Sequence, residues 1–149
     1  MAKGQSAQVY VVTGLVFFFG IVIGFKMVYD FMQKSADVRY EDFKVKLKAD
    51  IKAVSVKQGA VTKVSYVLPY EGKELCFYQA GSTMPENRYI RQLITDGNNA
   101  FLLSGTNVRA FQVASVTVAD GYHCFASAQG RVTFLLEGAD NKALVRQSS

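Results

Sequence analysis

The stretch that decides the fold is Val9-Tyr-Val-Val-Thr-Gly-Leu-Val-Phe-Phe-Phe-Gly-Ile-Val-Ile-Gly-Phe25. It holds no charged residue, and the uncharged run reaches back to Gly4 and stops at Lys26. Because a helix rises about 1.5 Å per residue, the apolar part spans roughly 25 Å, or roughly 30 Å with the three residues before it. This length without a charge favours a membrane crossing over the buried helix of a soluble core. We therefore predict a transmembrane helix over residues 9–30.

The residues after this stretch indicate that it stays on the mature protein. A secretory signal peptide has a 7–15-residue apolar core that a small-residue cleavage site follows. Here the run is longer, and Lys26-Met27-Val28-Tyr29-Asp30 comes next. We expect no cleavage after the run, so that the segment stays as an anchor, with residues 1–8 as a cytoplasmic N-terminus.

Charge is unevenly distributed along the 149 residues. The net charge is +5, and residues 26–57 contribute eight basic and five acidic side chains, whereas the residues from 60 onward contribute eight and seven. The basic excess thus lies next to the predicted membrane helix, where lipid headgroups are its natural partner. The distal part has no basic stripe with interleaved aromatics, so we expect no nucleic-acid binding.

Two periodicities compete in the segment after the anchor. Apolar residues recur every three or four positions, which is typical of an amphipathic helix, at Tyr40, Phe43, Leu47, Ile51 and Val54. Residues 43–51 also alternate between apolar and polar, as a half-buried strand does. Lysine, alanine and leucine favour the helix. We predict an amphipathic stalk helix over residues 31–58 that ends at Gly59, with a break near residues 35–37.

From Ala60 the sequence changes to short β-prone runs between turn residues, which predicts a head domain over residues 60–149. We expect a hairpin of strands 61–68 and 74–79, a helix over 85–95 that starts near Thr83 or Met84, and a short apolar run at 100–103. Further strands are expected at 108–119, 122–126, 132–137 and 143–146, the last three as a meander. The predicted fold class is α+β: a transmembrane helix that continues into an amphipathic helix, then a small antiparallel β-rich head with one short helix, in a lollipop shape.

The two cysteines, Cys76 and Cys124, both lie on apolar strand segments. They are either buried reduced thiols or a disulfide that joins the early hairpin to the late meander. An even count on a domain in an oxidising compartment favours the disulfide. The one histidine, His123, adjoins Cys124, and strand neighbours point to opposite faces, so a Cys–His catalytic pair is excluded and His123 is expected to face solvent.

No chemistry-bearing motif appears in the sequence. Two distant cysteines and one histidine lack the spacing of metal ligands, and neither a phosphate-binding glycine loop nor a Gly-x-Ser-x-Gly elbow is present. Carboxylates such as Glu41 and Asp42 are most simply solubilising. We expect no enzyme activity, no cofactor, no metal and no small-molecule substrate.

Glycines interrupt the apolar helix. Gly20 and Gly24 are four residues apart, a small-xxx-small spacing that lets a second membrane helix approach closely. Glycine is also common in membrane helices in general. The pair favours helix packing within the membrane.

Lys3-Gly4-Gln5-Ser6-Ala7 followed by an apolar helix resembles the class III signal peptide of archaeal type IV pilin-like proteins. The resemblance implies a cleavage between Gly4 and Gln5, after which the apolar helix stays on the mature protein and can pack into a filament core. Many of these pilins carry glutamate at the fifth mature position, where this chain has Val9. The chain is also similar to small membrane-anchored archaeal envelope proteins. The similarity lies in a strand that ends in Leu-Pro, in the Leu-Cys-Phe that follows it, and in the later Tyr-His-Cys-Phe. This similarity implies surface exposure and no catalytic residue.

Two signals disagree on orientation. Lys26, Lys34 and Arg39 follow the helix and only Lys3 precedes it, which by the positive-inside rule places the large domain in the cytoplasm. The pilin-like start and the cysteine pair favour an extracytoplasmic head, which is our prediction. The sequence thus predicts a single-pass structural protein of the cell envelope, in contact with membrane lipid, that forms a homo-oligomer or filament through its N-terminal helix. The alternative is an uncleaved single-pass binding subunit of a membrane complex.

Overall fold

The computed structural model describes the backbone of residues 3–148, and the side chains of that range apart from residues 3–8 and Gln33. The chain divides into two compact units, with the boundary between Val38 and Arg39. The two first residues of the predicted N-terminal segment 1–8 lie outside the described residues. The β-rich unit begins with the end of a helix, and so includes part of the segment that was expected to form a stalk.

One helix, α1, spans Lys3–Ser55. It continues through residues 35–37, where the sequence suggested a break, and it ends four residues before Gly59. At this end the Ser55 hydroxyl donates to the Lys52 carbonyl oxygen at 2.9 Å, and the Lys57 N–H donates to the Val54 carbonyl oxygen at 2.9 Å. These bonds satisfy carbonyl groups that a helix end leaves without intrahelical partners.

The competition between helix and strand at residues 43–51 is resolved as helix. The residues that recur every three or four positions are buried, with Leu47 and Ile51 fully so, whereas Val45 is 66% exposed. A strand would have placed Val45 on the same face as Phe43 and Leu47, because strand residues two apart share a face. The buried side of this part of α1 belongs to the core of the second unit.

Eight strands and a second helix complete the second unit. The strands are β1 (Val61–Val67), β2 (Glu74–Tyr78), β3 (Ala100–Ser104), β4 (Asn107–Phe111), β5 (Val116–Val118), β6 (Tyr122–Ala126), β7 (Arg131–Ala139) and β8 (Lys142–Gln147), and the helix, α2, spans Arg88–Thr95. One sheet has the order β1-β7-β8-β5 and the other β4-β3-β2-β6. Every pairing is antiparallel except that of β5 with β8. The predicted α+β class with an antiparallel-rich β domain is confirmed.

Two apolar clusters hold the unit together. The larger contains residues of α1 and of all eight strands, with Phe77, Phe134 and Leu136 fully buried. The smaller lies under α2, where Ile90 packs with Cys76 and Phe101. Alternate residues of β2 therefore enter different clusters, because successive side chains of a strand point to opposite faces.

The predicted strand partners were wrong in two places. Strand β1 does not form a hairpin with β2: it pairs with β7, and β2 pairs with β3 and β6 in the other sheet. The chain changes sheets through a short 3-10 turn at Pro69–Glu71, in which Tyr70 and Glu71 have positive φ angles of 55° and 50°. The late meander is also absent, because β6 pairs with β2 and, of the three strands expected to form it, β7 and β8 alone pair with each other.

Two further boundaries differ from the prediction. The segment 108–119 forms two strands, β4 and β5, that lie in different sheets. Helix α2 starts at Arg88 rather than near Thr83 or Met84, because the Asn87 carboxamide oxygen accepts hydrogen bonds from the N–H groups of Tyr89 and Ile90 and so caps the helix.

Candidate functional site

The first candidate surface is the apolar part of α1. Its side chains from Val9 to Met32 are exposed wherever the structure describes them, and Phe17, Phe25 and Phe31 are each more than 70% exposed. Among the described residues, this is the one helix long and apolar enough to cross a membrane, by length and composition. No part of its most apolar 18-residue segment is buried within the chain. Soluble proteins rarely expose a continuous apolar surface of this size, so it requires a cover of lipid or protein.

The glycines of this helix leave open notches. A methyl group added at Gly14, Gly20 or Gly24 would meet no atom of the chain within 4 Å, outside the helix's own nearby backbone. Gly20 and Gly24 lie one turn apart on one side of the helix, whereas Gly14 is rotated away from them. The backbone of Gly4 and Gln5 lies in α1, and the predicted cleavage between them stays a prediction.

The second candidate site is the cysteine pair. Cys76 and Cys124 form a disulfide, and they are directly opposite each other on the neighbouring strands β2 and β6. Cys76 is fully buried and Cys124 is half-buried. The disulfide therefore links two adjacent strands of one sheet, rather than an early hairpin and a late meander.

Two polar groups lie beside the disulfide. A carboxylate oxygen of Glu74 lies within 4.8 Å of both Sγ atoms. The Tyr122 hydroxyl is 3.1 Å from the Cys124 Sγ, and it is the donor because a disulfide sulfur carries no proton. Burial, and to a lesser degree the charge of Glu74, raise the pKa of Tyr122. The hydroxyl is therefore protonated over the physiological pH range.

His123 lies on the other side of β6. It is half-buried, with its ring centroid 4.7 Å from that of Phe125 in an edge-to-face arrangement. The expectation that it faces solvent was therefore wrong in part: the imidazole packs on the aromatic core. Its separation from Cys124 by the strand itself agrees with the exclusion of a Cys–His pair.

The third candidate is an aromatic and basic cluster that sequence reasoning missed. The Arg109 guanidinium lies 4.0 Å from the Tyr70 ring centroid and 5.2 Å from that of Tyr40. A cation over a ring face is attracted by the ring quadrupole. Burial raises the pKa of Tyr40, an effect that the positive charge of Arg109 partly opposes. Only the fold brings these residues together, since they are separated by 30 or more positions in the sequence.

Tyr70 and Arg109 of this cluster line one wall of a cleft with a volume of about 610 Å³. The remaining wall is mostly polar and comes from the Pro69–Glu71 turn and the β3–β4 hairpin: Glu71, Ser104 and Asn107, with Leu102 and Val108 as apolar members. The Ser104 hydroxyl donates to the Tyr70 carbonyl oxygen at 2.6 Å and so holds the strained turn against β3. Arg109 and Tyr70 both have further interactions.

Comparison with protein-family models, curated proteins and solved structures finds no match to this chain.

The carboxylates that the sequence marked as solubilising are both exposed. Glu41 is exposed and forms an ion pair with Lys44 at 2.8 Å, one helical turn away, and Asp42 is exposed. Exposed pairs of this kind contribute a few tenths of a kcal/mol.

Proposed function

We propose that the chain is a membrane-anchored structural protein of the cell envelope, a pilin-like subunit that associates with copies of itself through α1. The observation that carries the proposal is the contrast between the two parts of this helix. Residues 40–54 bury one face in the core of the β-rich unit, whereas the apolar residues 9–32 are exposed all round. A helix that is apolar on every side is stable only in lipid or among other helices.

Self-association is supported by the open notch at Gly20 and Gly24. In lipid, helices gain little from apolar burial, and close backbone approach at small residues drives their packing. A second apolar surface lies on the part of α1 within the β-rich unit. Val45 and Ala49 are exposed on the side away from the core, and Val56 just beyond the helix is 69% exposed.

The Cys76–Cys124 disulfide supports an extracytoplasmic position for the β-rich unit, because such bonds persist in oxidising compartments. The three basic residues after the apolar stretch oppose it. A membrane-impermeant lysine label on intact cells separates the two orientations. Labelling of Lys63 and other head lysines before lysis is expected, and labelling only after lysis would overturn the extracytoplasmic assignment.

The anchoring part of the proposal is tested by alkaline extraction of native membranes. A membrane-spanning protein stays in the pellet, so recovery of the intact chain in the supernatant would contradict the anchor.

The pilin-like part of the proposal is tested by terminal sequencing together with electron microscopy of the cell surface. A mature N-terminus at Gln5 and filaments that contain the chain are expected. An intact start at Met1 or Ala2, without filaments, would instead favour the uncleaved single-pass binding subunit.

A further inference from the structure

Three groups with metal-binding chemistry converge on one face of the second sheet. A carboxylate oxygen of Glu74 and the Sγ atoms of Cys76 and Cys124 all lie within 4.8 Å of one another. Glu74 and Cys76 are two residues apart on β2 and so share a face, and the strand register places Cys124 opposite Cys76. The fold thus assembles a ligand set that no local sequence spacing predicts.

Thiolate sulfur and carboxylate oxygen are both ligands of Zn²⁺, which is commonly held by three protein ligands with a fourth position open to water. We propose that reduction of the Cys76–Cys124 disulfide converts this cluster into a zinc site, in which the two thiolates and the Glu74 carboxylate bind the ion. The proposal is independent of the membrane role. The same residues form a disulfide in an oxidising compartment and bind a metal in a reducing one.

The chemistry balances in two steps. The S–S bond breaks as it accepts two electrons and two protons from a dithiol reductant, which becomes a disulfide itself. Binding of Zn²⁺ then displaces the two thiol protons to solvent. Without a cation, two thiolates beside a carboxylate would repel one another, so a divalent ion is what makes the doubly ionised pair stable.

The surroundings of the cluster suit an ion. Glu74 and Cys124 are half-buried, so an ion and a water ligand have a path from solvent. Cys76 is fully buried against Ile90 and Phe101, which gives the inner side a low dielectric constant. The Tyr122 hydroxyl, 3.1 Å from the Cys124 Sγ, can donate to the thiolate and orient it, as outer-shell groups do in metal sites.

The test uses Co²⁺ as a spectroscopic probe for Zn²⁺. The full-length protein in detergent is reduced with a dithiol, freed of the reductant under anaerobic conditions and titrated with Co²⁺. We expect a thiolate-to-cobalt charge-transfer band that saturates at one ion per chain and disappears when Zn²⁺ is added. The oxidised protein should give no band. A reduced wild-type protein without the band would overturn the proposal.

Two substitutions test the carboxylate ligand. Removal of a direct ligand by Glu74→Gln should weaken Co²⁺ binding by more than the roughly 10–100-fold loss typical of outer-shell changes. Glu71→Gln, which removes a carboxylate outside the cluster, is the matched control and should leave binding unchanged. Circular dichroism of each reduced variant verifies the fold. Equal affinity of Glu74→Gln and wild type would remove Glu74 from the site and contradict the proposed ligand set.

Discussion

The Tyr66 hydroxyl donates a 2.6 Å hydrogen bond to the Asp50 carboxylate, and this bond joins strand β1 to helix α1. Tyr66 is 4% exposed and its ring packs against Phe43 and Phe134. Tyr66→Phe keeps the ring and removes a hydrogen bond to a carboxylate, so we expect a loss of about 1.5–3 kcal/mol in the free energy of unfolding. Denaturant titration measures it. Tyr89→Phe, at a ring that is 77% exposed, is the control and should have no effect.

The environment of Tyr66 also predicts how the free energy of unfolding responds to alkaline pH. Burial, with the hydrogen bond to Asp50, raises the pKa of Tyr66 above its ordinary value of 10.0. The unfolded chain therefore loses this proton at a lower pH than the folded chain does. The stability that Tyr66 contributes is thus fully present below about pH 10 and is lost as the pH rises further. The free energy of unfolding of the wild type should fall above that pH, and that of Tyr66→Phe should fall less. Parallel pH profiles of the two proteins would contradict this assignment.

Gly138 on β7 allows the end of α1 to approach the sheet. It donates to the Ala60 carbonyl oxygen at 2.9 Å and accepts from the Gly59 N–H at 2.8 Å. An added methyl group would overlap the carbonyl oxygens of Lys57 and Val54, which are backbone atoms that cannot rotate away. We expect Gly138→Ala to lower the free energy of unfolding by at least the 1–3 kcal/mol of an overpacked site.

The control for this substitution is Gly130→Ala. Gly130 has a positive φ of 74° and open space around it, so only the backbone penalty of about 1–2 kcal/mol applies there. A Gly138→Ala protein with the same free energy of unfolding as the wild type would contradict the close approach.

The disulfide closes a sequence separation of 48 residues. By loop-closure entropy, its loss should lower the free energy of unfolding by about 4 kcal/mol. We expect the double variant Cys76→Ala with Cys124→Ala to show this decrease in denaturant titration, in the presence of a chelator. The reductant should destabilise the wild type and leave the variant unchanged. Equal stability of the oxidised wild type and the double variant would show that the bond does not stabilise the fold.

Asn87 caps α2 and thereby fixes the start of the helix whose Ile90 packs against Cys76. Its side-chain oxygen accepts from the Tyr89 N–H at 3.0 Å and from the Ile90 N–H at 3.4 Å. Asn87→Ala should lower the free energy of unfolding by about 1 kcal/mol, whereas Asn87→Asp should retain most of the stabilisation that the cap provides. Hydrogen exchange at the first amides of α2 should rise in the alanine variant alone. Equal protection in both variants would mean that the cap does not hold the helix start.

The sequence predicted the elements far better than their partners. The spacing of Phe43, Leu47 and Ile51 identified the buried face of α1, because that face depends only on helical periodicity. The pairing of β1 with β7 could not be predicted in this way, since the alternation of a strand determines which face is buried and not which strand lies beside it. The left-handed backbone of Tyr70 and Glu71 redirects the chain between sheets, and neither residue type signals such a conformation.

The candidate sites show the same division. The apolar helix was visible in the sequence, because its length without a charge is a property of consecutive residues. The cysteine pairing was one of two alternatives, and the neighbouring Glu74 carboxylate was not anticipated. The Tyr40–Arg109–Tyr70 cluster was invisible, because each residue comes from a different segment and only the packing of α1, the 3-10 turn and β4 brings them together.

Self-association of the full-length chain in lipid bilayers tests the central claim most directly. Energy transfer between labelled copies in liposomes should be high for the wild type and for Gly14→Ile, and low for the double variant Gly20→Ile with Gly24→Ile. All three glycines have open space around them in the single chain, so the folded β-rich unit should be unaffected in each protein. We expect that only the paired substitution abolishes transfer. Equal transfer in the three proteins, or none in the wild type, would contradict association through this face of α1.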